Sequence, residues 1–344
     1  EWMDTLATLS PATTLVCIVT KSGATYETLA QAILALEWLG RARWSKQVIA
    51  ITDPLDGELR RFTDQYQIPS LPIPKSIGGR FSVFSPVGLF PAVLAGLDAE
   101  AFLLGAKQVR DHLERSPPEK NPLFILAHEL VRHSARRPIH VCMPYSSRLR
   151  AIGDWWVQLW SESLGKDGKG FTALAALGAT DQHSILQLLR DGPDDKITWF
   201  ITVEQRQDSV PIPKLSVRVG DDVPPTFKLL EGQSLESLLR VEYTATSRVL
   251  SQGNRPHISY QLDRLDERNL GALMFAFCAQ TAITGACLGV NPFDQPGVQE
   301  AKNYIRTALE GGDNETDDEN SPYARLRQYA KKSEHIPPGR SSDD

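Results

Sequence analysis

The order of two apolar segments around a helix-like segment constrains the fold of this chain most. Residues 14–20 (TLVCIVT) and 47–52 (QVIAIT) are short runs rich in β-branched residues, typical of buried parallel strands. Between them, residues 25–39 space their apolar side chains as a helix does. A strand, a helix and a second strand in this order predict an α/β fold with a doubly wound parallel sheet.

The same succession of elements recurs after a proline-rich segment, residues 116–122 (SPPEKNP), which has the composition of a domain linker. A strand at 140–144, a helix at 149–164 and a strand at 198–203 follow it. We therefore predict four regions: a first α/β domain over 1–115, a second over 116–255, a helical segment over 256–310 and a disordered tail over 311–344, which is rich in Gly, Asp, Glu, Asn and Ser.

Composition and charge exclude several classes of partner. The net charge of −5 offers no electrostatic attraction to nucleic acid or to an anionic membrane surface. The longest apolar stretch, 270–290, contains Gln280 and several small residues, and we interpret it as a buried helix rather than a membrane span. The four cysteines lie in apolar runs without CxxC spacing, which indicates buried reduced thiols and a cytoplasmic protein.

No metal ion is expected. The pair His128 and His133 is five residues apart, so the two side chains lie on different faces of a helix, and no HExxH pattern occurs.

A polar loop, residues 20–28 (TKSGATYET), joins the end of the first predicted strand to the following helix. Ligands bind at such positions in open α/β sheets, and the free N–H groups of a helix start attract anions. Hydroxyl donors, one lysine and a glycine occur together there: Thr20, Lys21, Ser22, Gly23 and Thr25. The loop matches neither the P-loop nor the dinucleotide fingerprint. It is interpreted as a phosphate site, and the alternative is a capped helix start without a ligand.

A second loop carries an arginine directly after two glycines, in the segment KSIGGRFS at 75–82. Gly79 allows the backbone to approach a ligand closely. Arg80 supplies a permanent positive charge and a planar set of donors, suited to a phosphate or to a developing oxyanion. Taken alone, the alternative is an ordinary loop with a solvated arginine.

Two side chains four residues apart on the predicted helix at 149–164 share one face, Gln158 and Glu162. Neighbouring tryptophans could partly shield Glu162, which would then suit a general base; the alternative is a solvated glutamate. His183, in the turn GATDQH, could transfer a proton near neutral pH, although a capping or surface histidine is commoner. Lys302 follows the loop at 291–297 at the start of a later helix, and a lone lysine there is usually exposed.

The motifs TKSGATYET, IGGRFSVFSPVGLFPA, QLWSESLGK, GATDQH and NPFDQPGV occur in an order that closely resembles the bacterial glucose-6-phosphate isomerase family. The resemblance runs from about Leu9 to Leu309. It implies two sugar-isomerase (SIS) domains, each a parallel sheet between helices, followed by a C-terminal helical segment that completes the active site. It also implies the reversible conversion of glucose 6-phosphate to fructose 6-phosphate through an enediolate, without a cofactor, by a homodimer.

The resemblance assigns roles residue by residue. Glu162 matches the base that moves a proton between carbon 2 and carbon 1 of the sugar, and Gln158 matches a substrate-binding glutamine. Arg80 matches the arginine that stabilises the enediolate. His183, reaching in from the partner subunit, and Lys302 match the groups that open the sugar ring. The residues that match the phosphate-binding loop are Thr20, Lys21, Ser22 and Thr25.

The family's early Gly-Ile-Gly-Gly-Ser segment is absent from this sequence, and we expect that an N-terminal part, including strands of the first SIS domain, is missing. On that expectation the chain has weak or no activity. Three alternatives stay open: a non-catalytic SIS module that binds a phosphosugar, the isomerase part of a fusion with transaldolase, and an isomerase that also accepts mannose 6-phosphate.

Overall fold

The computed structural model describes residues 2–205, 209–220 and 222–310. The predicted disordered tail at 311–344 lies outside them. By its contacts the chain forms one unit from Glu1 to Asp294 and a second from Gln295 to Asp344, and each is described by itself.

The first part of the larger unit contains a three-stranded parallel sheet in the order β1-β2-β3. Its elements are α1 (Trp2–Ala7), β1 (Val16–Val19), α2 (Tyr26–Leu39), α3 (Trp44–Gln47), β2 (Val48–Thr52), α4 (Glu58–Tyr66), β3 (Ser70–Pro72), a 3-10 helix (Gly79–Phe84), α5 (Pro86–Leu94) and α6 (Ala99–Arg115). In the register of the first pair, Val16 lies opposite Val48 and Val19 opposite Ile51. The two strands and the helix predicted from the first apolar pattern are confirmed.

The second part contains a four-stranded parallel sheet in the order β5-β4-β6-β7. Its elements are α7 (Pro122–Arg132), β4 (Ile139–Pro144), α8 (Arg150–Leu164), β5 (Thr172–Ala175), α9 (Gln182–Asp191), β6 (Lys196–Gln205), α10 (Ser216–Val219), α11 (Pro225–Leu230), α12 (Leu235–Gln252), β7 (His257–Arg264) and α13 (Glu267–Leu288). Both sheets carry helices between their strands, which confirms the predicted α/β class.

One element contradicts the predicted helical segment at 256–310. The range begins with strand β7, which pairs in parallel with β6 over seven residue pairs. The segment is only partly buried and alternates polar with apolar residues (HISYQLDR), so it lacks the continuous apolar run that identifies a central strand. The prediction of a helical start to this region is therefore wrong.

Helix α13 forms the centre of the larger unit. It packs against α6, α7 and α8, and Leu273, Met274 and Phe277 on it are buried. By length and hydropathy alone α13 could cross a membrane, but more than half of its apolar window is buried inside the protein. The predicted buried helix is thus confirmed. The turn at residues 291–294 follows its C-terminal end.

Of the smaller unit, the structure describes the chain up to Glu310. A 3-10 turn (Pro296–Val298) leads into α14 (Gln299–Leu309), which carries Lys302 in its first turn.

Candidate active site

Arg80 is the most heavily bonded side chain of the predicted site. It lies in the 3-10 helix that follows the glycine pair, and its side chain is 2% exposed. The guanidinium donates from Nε to Ser163 Oγ (2.7 Å), and from Nη2 to the carbonyls of Pro292 (2.6 Å) and Asp294 (2.8 Å). Arg80 therefore joins helix α8 to the turn after α13.

A fourth contact of Arg80 reaches the predicted base, Glu162. Arg80 Nη1 lies 3.1 Å from Glu162 Oε1, and Gln158 Nε2 donates to the other oxygen, Oε2, at 3.1 Å. The spacing of four residues on α8 brings Gln158 and Glu162 onto one face, as predicted. The structure thus brings together three of the predicted site residues, with both oxygens of the carboxylate held by donors.

Burial lowers the pKa of the Arg80 guanidinium from its ordinary value, and the negative charge of Glu162 opposes that shift. An arginine stays protonated in proteins even when it is buried. Glu162 therefore faces a fixed positive charge in a site with little access to water on the arginine side.

Gly79 precedes this arginine and has open space where a Cβ would lie, with no atom within 4 Å. The backbone there has room for a ligand, and the close approach of a ligand stays a prediction. Of the tryptophans expected near Glu162, only Trp155 contacts this cluster: its Nε1 donates to the carbonyl of Arg80 (3.0 Å). Trp156 and Trp160 are instead fully buried in the core against the second sheet.

Sequence reasoning missed a second group of polar residues beside Arg80. Lys166, just after the end of α8, lies 2.9 Å from Asp294 Oδ1 and donates to the carbonyls of Ser163 (3.0 Å) and Asn291. Asn291 Nδ2 in turn donates to Asp294 Oδ2 (3.0 Å). Hydrogen bonding and charge from Lys166 lower the pKa of Asp294. These residues lie inside the motifs QLWSESLGK and NPFDQPGV. Their position in these two motifs was the only sequence feature that could have pointed to the site.

The predicted phosphate loop turns from the end of β1 to the start of α2. Thr20 Oγ1 and Thr25 Oγ1 lie 2.9 Å apart, and Ser22 Oγ lies 3.5 Å from Thr25 Oγ1. Thr25 occupies the N-cap position of α2, but its side chain makes no capping bond to the helix. Three hydroxyls therefore cluster at the start of a 14-residue helix, an arrangement suited to an anion.

Lys21 has a different position from the three hydroxyls. Its Nζ donates to the carbonyls of Lys75 (2.8 Å) and Ile77 (2.6 Å). The ammonium group thus ties the phosphate loop to the segment that leads into Gly79 and Arg80.

The two predicted ring-opening residues lie on other elements, α9 and α14. His183 is exposed in the first turn of α9, and among the described residues the bonds of Glu162 and Gln158 go to Arg80 and to each other rather than to His183. Lys302 is exposed on α14, in the smaller unit. Among residues 2–205, 209–220 and 222–310, no group of three or more His, Cys, Asp or Glu side chains could hold a metal ion.

Parallel sheets between helices define an α/β protein, and its candidate site pairs a carboxylate with a buried arginine. A hypothetical protein of Thermus thermophilus has the same fold, with a TM-score of 0.83 and 38% identity over 90% of this chain and 74% of that one. A glucose-6-phosphate isomerase from Chlamydia trachomatis shares the fold at a TM-score of 0.73 and 24% identity, over 96% of this chain and 65% of that chain.

The sequence model of the phosphoglucose isomerase family matches residues 1–324, and the chain belongs to this family. The glucose-6-phosphate isomerase of Rubrobacter xylanophilus is 43% identical over 314 residues, which cover 89% of this chain and 71% of that protein. A probable glucose-6-phosphate isomerase of Haloarcula marismortui is 38% identical over 89% of this chain and 69% of that protein. The relatives are thus archaeal as well as bacterial.

Proposed function

We propose that this chain catalyses the reversible isomerisation of glucose 6-phosphate and fructose 6-phosphate, an aldose–ketose isomerisation, with Glu162 and Arg80 at its centre. The observation that carries the proposal is the 3.1 Å contact between a half-buried carboxylate and a buried guanidinium. This pair has the two functions that the reaction needs: a base for a proton next to a carbonyl, and a cation for the charge that develops when the proton leaves.

In the proposed reaction, Glu162 removes the proton from carbon 2 of the open-chain aldose. The electrons of the C–H bond form a double bond between carbons 1 and 2, and the carbonyl oxygen becomes the negatively charged oxygen of an enediolate. Arg80 stabilises that charge. Glu162 then returns the proton to carbon 1, and the hydroxyl on carbon 2 transfers its proton to the negatively charged oxygen on carbon 1 as the ketone forms. Gln158 keeps the carboxylate oriented during both transfers.

The hydroxyls of Thr20, Ser22 and Thr25 are proposed to bind the phosphate group, together with the N–H groups at the start of α2. Lys21 contributes its positive charge while it remains bonded to the segment before Arg80. Anchoring the phosphate supplies the orientation that places carbon 2 beside the base.

Ring opening is assigned to His183 and Lys302, and we propose that His183 acts across the interface of a homodimer. Its exposed position on α9 supports a role toward another subunit. The cytoplasm is the proposed location, since all four cysteines are free. The prediction that all four are buried is wrong for Cys17 and Cys287, which are exposed.

A coupled assay that converts fructose 6-phosphate to glucose 6-phosphate, followed by NADP-linked oxidation, tests the proposal. Turnover by this chain would support the proposal and contradict the weak or absent activity expected of a chain that lacks an N-terminal part. Mannose 6-phosphate, run in parallel, measures side activity. Binding of fructose 6-phosphate without turnover, by a chain that is folded, would favour the non-catalytic phosphosugar-binding alternative.

A further inference from the structure

Two cations join the same two segments of the chain from different sides. Arg80 bonds to Glu162 and Ser163 on α8, and to the carbonyls of Pro292 and Asp294 in the turn at 291–294. Lys166 bonds to the carbonyl of Ser163 and, in the same turn, to the carbonyl of Asn291 and the carboxylate of Asp294. Both cations thus contact the end of the helix that carries the base.

Lys166 lies at the C-terminal end of α8, where a cation can bond to the unpaired carbonyls of the helix. The last carbonyls of a helix have no partner within it, and a lysine just after the end can donate to them. Lys166 donates to the Ser163 carbonyl in the last turn of α8, and its side chain is only 9% exposed. A nearly buried lysine with three oxygen partners has little freedom to move, in contrast to a solvated surface lysine.

Charges alternate through the cluster from the base outward. Glu162 pairs with Arg80, the backbone carbonyl of Asp294 accepts from Arg80, and the carboxylate of Asp294 pairs with Lys166. Removing the charge of Lys166 would take away the ion-pair partner of the Asp294 carboxylate and free the turn to shift. Since that turn supplies two of the acceptors that hold Arg80 Nη2, the guanidinium would lose its fixed position next to Glu162.

We propose that Lys166 and Asp294 are positioning residues for the isomerisation, which act by holding the 291–294 turn so that Arg80 stays at its working distance from Glu162. Neither residue needs to touch the substrate. Displacements of about 1 Å in a catalytic group can lower a rate by about a hundredfold, so a modest shift of Arg80 is sufficient to reduce turnover. The inference rests on the proposed function.

The test compares four variants of the chain: Lys166→Met, which keeps the length but removes the charge, Lys166→Arg, Asp294→Asn, and the control Lys169→Met. Lys169 is a suitable control because it also donates to a backbone carbonyl at a helix end, that of Leu288 (2.8 Å), but is exposed and does not contact Asp294 or Arg80. Steady-state kinetics give kcat and KM. Calorimetry measures binding of 5-phosphoarabinonate, whose carboxylate resembles the enediolate, and of glucitol 6-phosphate, which carries no such charge.

For Lys166→Met and Asp294→Asn we expect a fall in kcat of at least tenfold with a change in KM below threefold. Binding of 5-phosphoarabinonate should weaken at least tenfold while that of glucitol 6-phosphate changes less than threefold, because only the charged analogue uses the placement of Arg80. Lys166→Arg should recover much of the loss, and the double variant Lys166→Met/Asp294→Asn should be no worse than either single change.

A merely structural role gives a different pattern. If Lys166→Met lowers the free energy of unfolding but leaves kcat and analogue binding at the values of Lys169→Met, the proposal is overturned. If the unsubstituted chain binds neither phosphosugar ligand and shows no turnover, the proposed function fails and this inference fails with it. Calorimetry separates the two cases, since analogue binding by the unsubstituted chain does not depend on turnover.

Discussion

Arg80 Nη1 and Glu162 Oε1 lie 3.1 Å apart although 82 residues separate them in the sequence. The two partners differ in their access to solvent: the arginine side chain is 2% exposed and the glutamate 23%. The cation is therefore enclosed by protein, and the carboxylate remains open on one side. A substrate can approach the base while the charge that stabilises its intermediate stays fixed.

Replacing Glu162 by Gln removes the base and keeps the shape of the side chain. We expect kcat to fall by a factor of roughly 10²–10⁴, the usual contribution of a positioned general base, while KM changes little. The coupled assay measures both constants. Glu129→Gln serves as a control, because Glu129 is an exposed glutamate paired with Arg132 on α7. Equal activity in the two variants would exclude Glu162 as the base.

Replacing Arg80 by Met is expected to affect stability as well as activity. The change removes the cation from the Glu162 carboxylate, which keeps only the bond from Gln158, and removes the guanidinium donor from the carbonyls of Pro292 and Asp294. Breaking a buried pair costs about 3–5 kcal/mol, and the partial exposure of Glu162 reduces this to roughly 2–4 kcal/mol of unfolding free energy. Urea unfolding checks the value. Arg80→Lys keeps the positive charge but lacks the planar guanidinium donors. If this variant is as stable and active as the unchanged chain, the bonds that only a guanidinium can form are not required.

Replacing Gly23 by Ala should disturb the phosphate loop. Gly23 has φ +65°, and a Cβ there would lie 2.9 Å from the backbone nitrogen of Leu59, so the loop must move away from α4. We expect KM for fructose 6-phosphate to rise about tenfold, the equivalent of one lost hydrogen bond to a charged group. Gly168→Ala is the control, since Gly168 has φ +70° with no atom within 4 Å of the added carbon. The Gly168→Ala variant has the backbone strain of a positive φ, about 1 kcal/mol, without a steric clash. If its KM rises as much as that of Gly23→Ala, the steric argument is refuted.

Mixing Glu162→Ala and His183→Ala subunits tests the proposed action of His183 across a dimer. In a mixed dimer, one site combines an intact Glu162 with the histidine of the other subunit, while the second site has neither. Random exchange of equal amounts should restore activity in about one quarter of all sites. Activity is measured after refolding the two variants together. A mixture no more active than its parents would place His183 and Glu162 in the same subunit's site.

Acid should destabilise the chain through His140. The ring is fully buried, stacks on Phe171 at 4.2 Å between centroids and lies 5.7 Å from the rings of Trp160 and Trp199. Burial lowers the pKa of His140 from 6.5 to about 3. Between pH 6.5 and about pH 3, His140 is therefore protonated in the unfolded chain but neutral in the folded chain. The contribution to stability is complete above pH 6.5 and is lost as the pH falls toward 3.

This loss corresponds to at most about 1.4 kcal/mol per pH unit for one proton. His140→Phe keeps an aromatic ring of similar size and removes the titration. Urea unfolding between pH 7 and pH 4 should show a shallower decline in unfolding free energy for the variant. Parallel declines in the two chains would rule out His140 as a source of acid sensitivity.

The sequence predicted the elements whose local pattern is strong and missed those defined by their neighbours. Strand β2 and helix α8 carry continuous apolar or helical spacing, and both were predicted. Strand β3 has three residues and ends in proline, and β5 (TALA) has one buried residue in four, so neither contains enough apolar pattern to stand out.

The site shows the same division. The spacing of Gln158 and Glu162 on one helix face can be deduced from the period of a helix, but no periodicity relates either residue to Arg80. That assignment came from the resemblance to a family. The pairing of Lys166 with Asp294 was missed because a lysine after a helix and an aspartate in a loop are ordinarily solvated, and only the tertiary contact makes them partners.

The contacts of Arg80 also determine when this site can exist during folding. Its Nη2 bond to the Pro292 carbonyl spans 212 residues, so the guanidinium acquires its full set of acceptors only after α8 and α13 have docked. Contacts of such sequence separation form late, because they require the closure of large loops. During refolding, catalytic activity should therefore return after the helical content has returned, which makes turnover a reporter of completed tertiary structure.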